Sequence, residues 1–438
     1  MSKVYANFSK AVRPVGMMHG MNNGPYMHQG DFAPEFAEMG VPFVRFHETH
    51  SKTTKCIEIP HIFRDWNADE NDEKNYFFDV TDKVVAEAVN HGITVMYRLG
   101  MGTEAAKPLL FCTMPEDPEK WARICVNIIR HYTDGWANGF YYDIPYWEIW
   151  NEPDLPLYWE GDRERFFKLY EAASTAIREF NPRLKVGGPA ICWPLRDDNW
   201  PEDFLKFVVE KKLPLDFYSW HFYTAKLDKI ENVCSRVDEQ LKGAGLYGKI
   251  ESINSEWHAV SLEPRPNPRF QNIAGGGWDL SPTGNICTAV SNVAAMIIMQ
   301  RHNVTKAAYY DAENRGALCG LWGVHMNKQP QFYGFKAFNY LYQVGTEYES
   351  SSDVFEIQVM AAANNKTGYL LLTNYTEEEK PVTLELTGMS GADMQMYLLD
   401  EVHSLEIVDS DSFGAASCVK REVLLPKMSV ALVELQFR

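Results

Sequence analysis

From about residue 15 to residue 342, short runs rich in Val, Ile and aromatic residues alternate with longer segments whose apolar positions recur at helical spacing. Strands are predicted over 15–20, 43–47, 94–99, 147–150, 185–188, 216–221, 250–256 and 306–311. Helices are predicted between and after them, over 31–39, 80–90, 118–132, 163–180, 202–210, 229–242, 285–301 and 334–342. Asp79 or Thr81 offers an N-cap for the second helix, His91-Gly92 a left-handed stop, and Asn181-Pro182 ends the fourth. Eight strand–helix units in succession predict an α/β fold, a closed (β/α)8 TIM barrel in preference to an open sheet.

The pattern changes near residue 345. Runs over 355–362, 368–374, 382–386, 395–399, 423–425 and 429–434 are separated by Asn, Gly, Ser, Asp and Pro turns, with no helical period. The expected organisation is therefore residues 1–345 as a catalytic barrel and 346–438 as a small all-β sandwich, read as a brace or as a contact in a homo-oligomer. Two connections exceed ordinary loop lengths, from His47 to about Asp79 and from Glu256 to about Gly284. They hold Trp66, Trp278 and Gly275-Gly276-Gly277 and are expected to wall a closed pocket.

The composition narrows the partners. A formal net charge of −17 argues against nucleic acid or an anionic membrane surface and suits a neutral substrate. The 12 Trp, 22 Tyr and 24 Phe supply many faces that can stack on sugar rings, although most aromatic residues in any protein are core. The eight cysteines are dispersed without a Cys-x-x-Cys pair and read as reduced, buried small hydrophobes. With no apolar leader at the N-terminus and no apolar run of membrane-spanning length, a cytoplasmic location is expected.

Two stretches carry the chemistry: Trp147-Glu148-Ile149-Trp150-Asn151-Glu152-Pro153 and Ile253-Asn254-Ser255-Glu256-Trp257-His258. Proline cannot donate to a strand ladder, so the first strand ends there and Glu152 emerges at its C-terminal end, where barrel active sites lie. Glu256 closes the strand three further on, and two carboxyls meeting at one barrel mouth suit glycosidic bond cleavage. Glu148 shares the strand parity of Glu152 deeper in the barrel and reads as structural, with Arg45 or Arg98 as partner. Arg45 and His47 should share one face, as should His221 and Tyr223, a pair suited to hydrogen bonds with Glu256 and with sugar hydroxyls. Asn151 offers an amide to a substrate hydroxyl, and His19 is a candidate hydroxyl ligand. His47-Glu48-Thr49-His50 is not His-Glu-x-x-His on a helix, so no metal and no cofactor are expected.

These motifs resemble the glycoside hydrolases of clan A, and within them family 39, which includes β-xylosidases and α-L-iduronidases. Trp150-Asn151-Glu152-Pro153 is similar to that clan's acid/base motif and Ser255-Glu256-Trp257 to its nucleophile strand. Arg45 with His47, and His221 with Tyr223, resemble the surroundings of the family's sugar subsite, and Gly20-x-Asn22 followed by Gly24-Pro25 is similar to its first-strand loop. The resemblance implies a barrel with a small β domain and Glu152 as acid/base with Glu256 as nucleophile. It further implies retaining cleavage of a glycoside or oligosaccharide, β-xylosidase-like before β-galactosidase, β-glucosidase or α-L-arabinopyranosidase, and the two long loops that close the pocket point to exo action. The chain departs from the clan at the end of strand eight, where a tryptophan is common. Here the sequence is Tyr309-Tyr310-Asp311-Ala312-Glu313, with Trp322 in the following loop as a replacement, and Asp311 and Glu313 join Trp278 as candidate subsite residues. A carbohydrate-binding protein on a retired scaffold is the reading from another class, and a metal-dependent hydrolase the third.

Overall fold

The computed structural model describes residues 2–27, 30–47, 57–102, 115–258, 285–313, 320–323 and 325–438. Eight parallel strands, Met17–Asn22, Phe43–Phe46, Thr94–Leu99, Tyr146–Ile149, Lys185–Ile191, Phe217–Tyr223, Glu251–His258 and Val304–Tyr309, close into a barrel. Each overlaps its predicted run. Helices follow the same order, from Ala33–Met39 through Asp79–Asn90 and Pro118–Thr133 to Pro330–Val344. The cap of the second differs from the expectation: its N-cap is Phe78, without a side-chain bond, and Asp79 instead places its charge in the first turn. Gly92 does take the left-handed stop, at φ 71°.

The barrel interior is layered. Phe43, Met96, Tyr146, Phe217, Ile253 and Ala308 form a buried apolar floor from six strands. Arg45, Arg98 and Glu148 lie in the same strands nearer the C-terminal end, all fully buried. Apolar residues of opposite parity, such as Val44, Val95, Trp147 and Val186, join the outer cluster that packs against the helices.

The second body is a nine-stranded sheet. Its order is Ser404–Phe413, Ala392–Leu399, Ser429–Phe437, Thr367–Asn374, Val359–Ala363, Thr346–Ser352, Ser2–Pro14, Lys380–Thr387 and Cys418–Leu425. One face builds a sandwich core from Val4, Leu370, Leu384, Met394 and Val433. Leu371 and Leu432, of the alternate parity, share a cluster with the barrel helices. The two edge strands meet through Arg421, which binds Asp409 at 2.8 Å and lies 3.4 Å from Asp411. The assignment of residues 1–345 to the barrel needs one correction: Ser2–Pro14 pairs antiparallel with Thr346–Ser352 and parallel with Lys380–Thr387.

This docking explains the most apolar helix, Ile286–Arg301. Only Cys287 and Arg301 of its residues escape full burial. A helix covered by a barrel on one side and a sheet on the other needs no polar stripe. Arg301 at its end donates to Gln358 Oε1 at 2.6 Å and to Val359 O at 2.8 Å, fastening the two bodies. Among the described residues no helix is long and apolar enough to cross a membrane. Cys125 and Cys234 are buried free thiols, while Cys192, Cys287 and Cys418 are free and half-buried. Cys56, Cys112 and Cys319 lie outside the described residues.

Candidate active site

Arg45, fully buried on the second barrel strand, organises the mouth. Its Nε donates to Glu148 Oε2 at 2.6 Å, Nη1 to Asn22 Oδ1 and to Glu256 Oε2 at 3.1 Å each, and Nη2 to Asn151 Oδ1 at 2.7 Å. Burial opposes the guanidinium charge, but Glu148 and Glu256 outweigh it and raise its pKa. Asn22 in turn donates to Ser255 O and Ala308 O, both at 2.9 Å, tying the first strand to the seventh and eighth.

Backbone irregularities aim the two glutamates. Strand seven carries a β-bulge: Asn254 faces Trp220 but Glu256 faces His221, leaving Ser255 as the extra residue. The bulge lets Ser255 and Glu256 both reach inward, while Trp257 packs against Tyr309 and Phe335 outside. On strand four the device is a left-handed backbone, at φ 70° for Trp150 and 48° for Glu152. Trp150 consequently turns outward against Trp121 and Trp159. Each such residue costs on the order of 1–3 kcal/mol, so the surroundings must hold it. Trp150 N bonds to Leu99 O at 2.8 Å and Glu152 N to Ala190 O at 2.9 Å.

The carboxyls meet across the mouth. Oxygens of Glu152 and Glu256 and a nitrogen of His221 all lie within 4.8 Å of one another. Two full charges at that separation repel by ~3.5 kcal/mol at an effective dielectric of about 20. Glu152 accordingly has a pKa well above the ordinary carboxyl range, through burial first, then the Glu256 charge, then Asp154. His221 is pushed well below its usual value by burial and by Arg45, which keeps the imidazole neutral. Its Nδ1 bonds Glu152 Oε1 at 2.8 Å and its Nε2 bonds Ser255 Oγ at 3.1 Å. Tyr223 donates its hydroxyl to Glu256 Oε1. His47 Nε2 stands 3.7 Å from Glu256 Oε2.

The structure thus brings together Glu152, Glu256, Arg45, His47, Asn151, His221 and Tyr223. His221 bonds to Glu152, where a bond to Glu256 was expected; Glu256 Oε2 is 3.7 Å away. His19 is not in the mouth. With Asn22 facing inward, parity sends His19 outward, where Nε2 meets Gly40 O at 3.1 Å and Asn339 Oδ1 at 3.3 Å beside Tyr342. Trp322 does not supply the strand-eight ring either: it is buried on Phe32 and Phe332 and donates to Ala312 O at 3.1 Å. The ring over the mouth is that of Tyr310, 5.8 Å from the ring of His47 and 6.5 Å from that of Tyr223. Asp311 and Glu313 are buried, and Asn23 donates to Asp311 at 3.5 Å. Trp278 lies outside the described residues, as do residues 48–56 and 259–284 of the two long connections. Asn22, Ser255 and Tyr310 stand in motifs quoted from the sequence but were not among the candidate site residues. A polar residue at an inward strand position, as Asn22 is, was the available signal.

Among the described residues, Glu152, His221 and Glu256 form the set whose donor atoms converge as a metal ion would require. The Arg45 guanidinium, 3.1 Å from Glu256, already places a positive charge there and opposes a divalent ion.

A closed parallel barrel bearing two buried, electrostatically distinct glutamates at its C-terminal mouth is the architecture of a glycoside hydrolase. Residues 26–404 match the model for "Glycosyl hydrolases family 39", and the chain belongs to that family. It is 32% identical over 251 residues to a β-xylosidase of Geobacillus stearothermophilus, covering 52% of this chain and 47% of that one. It is 33% identical over 291 residues to a β-xylosidase of Caldicellulosiruptor saccharolyticus, covering 62% and 57%. The chain thus spans about half the length of these relatives. A glucosidase structure from Croceicoccus marinus shares the fold, with a TM-score of 0.79 at 21% identity, covering 100% of this chain and 99% of that one.

Proposed function

We propose that this protein is a retaining, exo-acting glycosidase of the β-xylosidase type. The carrying observation is the pair of carboxyl oxygens within 4.8 Å in opposite electrostatic settings. So close an approach favours double displacement, in which the carboxyl groups lie about 5–5.5 Å apart, over inversion, in which they lie about 6.5–9.5 Å apart. Glu152, held protonated, donates to the leaving oxygen while Glu256, ion-paired to Arg45, attacks the anomeric carbon. With His221 neutral, its Nδ1 is bonded to Glu152 Oε1 and its Nε2 to the Ser255 hydroxyl, which together fix the orientation of the Glu152 carboxyl. Once the glycosyl-enzyme forms, Glu152 acts as base on water. Asn151 Nδ2 is buried without a partner among the described residues, a donor ready for a sugar hydroxyl. The β-xylosidase relatives put a β-linked xylose at a non-reducing end first, before galactose, glucose or arabinopyranose.

A panel of chromogenic glycosides identifies the sugar, and proton NMR of the first-formed product reads its anomeric configuration. Retention with a β-xyloside is expected; an inverted first product overturns the mechanism, and no turnover of any glycoside favours a binding protein. Loss of turnover in chelator would instead establish the metal-dependent reading.

A further inference from the structure

Two residues beyond Glu152 the chain sends a second carboxylate inward. The side chain of Asp154 is fully inaccessible, and it faces the loop after strand five instead of the mouth. Oδ1 accepts from Cys192 N at 3.0 Å; Oδ2 accepts from Trp193 N at 3.3 Å and from Arg196 Nη1 at 3.2 Å. Arg196 Nη1 also donates to Asp154 O at 2.8 Å, so one guanidinium grips both the side chain and the main chain of this residue. The other edge of Arg196 is fixed in a fork on Asp198, at 2.9 and 2.6 Å. The same two segments are joined where Glu152 N meets Ala190 O, with Ala190 itself left-handed at φ 58°. Burial raises the Asp154 pKa above its ordinary value, and the donors on both oxygens, Cys192 N first and then Arg196, oppose that push.

We propose that Asp154 and Arg196 form a positioning clasp that fixes the left-handed backbone of Glu152, and hence the aim of the acid proton, against the strand-five loop. This rests on the reading of Glu152 as acid/base. Neither residue touches the reacting atoms. A carboxyl on a loop of unusual backbone would swing unless its chain were held on both sides, and acid catalysis falls steeply with misplacement. Asp154 has a second effect, because its charge is one of those that keep Glu152 protonated. The other groups facing Glu152 are Glu256, His221, Arg45, Tyr223 and Cys192.

The test is the leaving-group dependence of kcat/KM in aryl glycosides, since dinitrophenol departs without a proton and unsubstituted phenol does not. The wild type is measured first; if it turns over no glycoside, the proposed function fails and not the clasp. In Asp154→Asn, kcat/KM for the phenyl glycoside is expected to fall about tenfold or more, with the dinitrophenyl substrate changed about twofold at most. Its alkaline limb is expected to move to lower pH, as a negative charge beside Glu152 is gone. Arg196→Gln, which leaves Asp154 charged, is expected to show the same leaving-group dependence without an acidward limb, and it decides alone if Asp154→Asn fails to fold. Equal losses across leaving groups, with the limb unmoved, would overturn the clasp.

Discussion

Strand seven carries a glutamate at each end, and the two live under opposite rules. Glu251, at the foot of the barrel, is paired with Lys185 and Lys306 and accepts from Tyr146 Oη at 2.9 Å. Burial works against its charge, but the two lysines win and lower its pKa. Glu256, at the mouth, shares the single guanidinium of Arg45 with Glu148, while Glu152 faces it from across the barrel. One carboxylate between two cations has no reason to hold a proton. Glu152 has no guanidinium bond, and burial first and then the Glu256 charge raise its pKa well above the ordinary carboxyl range. The ratio of charges, more than the residue type, separates a structural glutamate from a reactive one.

The strongest way to break this comparison is to neutralise each glutamate in turn. Glu256→Ala is expected to lower kcat by at least about 10^4-fold. Glu251→Gln is expected to leave kcat within about twofold while lowering stability by about 1–2 kcal/mol. Full activity in the Glu256 variant would end the assignment. Glu152→Ala should lose about 10^2–10^4-fold on poor leaving groups and recover turnover with added azide, giving a glycosyl azide of retained configuration.

Arg45→Met tests the shared cation. It leaves buried Glu148 without its counter-ion, so a loss of about 3–5 kcal/mol in chemical denaturation is expected alongside the loss of activity. An undiminished midpoint would mean that Glu148 had a second source of charge compensation.

The comparison sharpens with pH. Replacing Glu256 by Gln removes the charge that helps raise Glu152, so carbon NMR should show Glu152 titrating at lower pH than in the wild type. At the foot the sign reverses. Glu251 has a depressed folded-state pKa, so its contribution is present above the ordinary carboxyl range and disappears as pH falls through the depressed value. An effect of the size given for Glu251 is expected at His302, where burial opposes the charge but Asp238 and Glu231, at 2.9 Å each, raise its pKa to about 9. Its contribution is full below about pH 6.5 and is lost as pH climbs through about 9. His302→Gln should cost about 1–2 kcal/mol at pH 6 and nothing measurable at pH 10.

The barrel was legible because its strands are buried on both faces and read as short apolar blocks between amphipathic helices. Three strands of the sheet were not. Thr346–Ser352 and Ser404–Phe413 are rich in Ser, Glu and Asp, and the second is an edge strand whose acids are answered by Arg421 from the far edge of the sheet. Ser2–Pro14 pairs with residues more than 300 positions away, which no local pattern encodes. At the site, Arg45 and His47 were legible from strand parity and Glu152 from the Pro153 stop, whereas Glu256 was legible as the end of its strand and reaches inward through the Ser255 bulge. The departures came from breaks in that parity. The Ser255 bulge turns Trp257 out, the left-handed turn at Trp150 reverses its ring, and Asn22 takes the inward position that leaves His19 among the helices. Trp322 was preferred to Tyr310 because a tryptophan was sought, whereas the position supplied only a ring.

The sheet that embraces Ser2–Pro14 sets an order on assembly. That segment precedes the barrel in the chain, yet its neighbours on both sides, Thr346–Ser352 and Lys380–Thr387, follow it. During synthesis the barrel must therefore wait with a loose leading strand and with the outer flank of Ile286–Arg301 uncovered. A catalytic module trimmed at residue 345 would keep both defects permanently, and it should be recovered as aggregate instead of as a smaller enzyme.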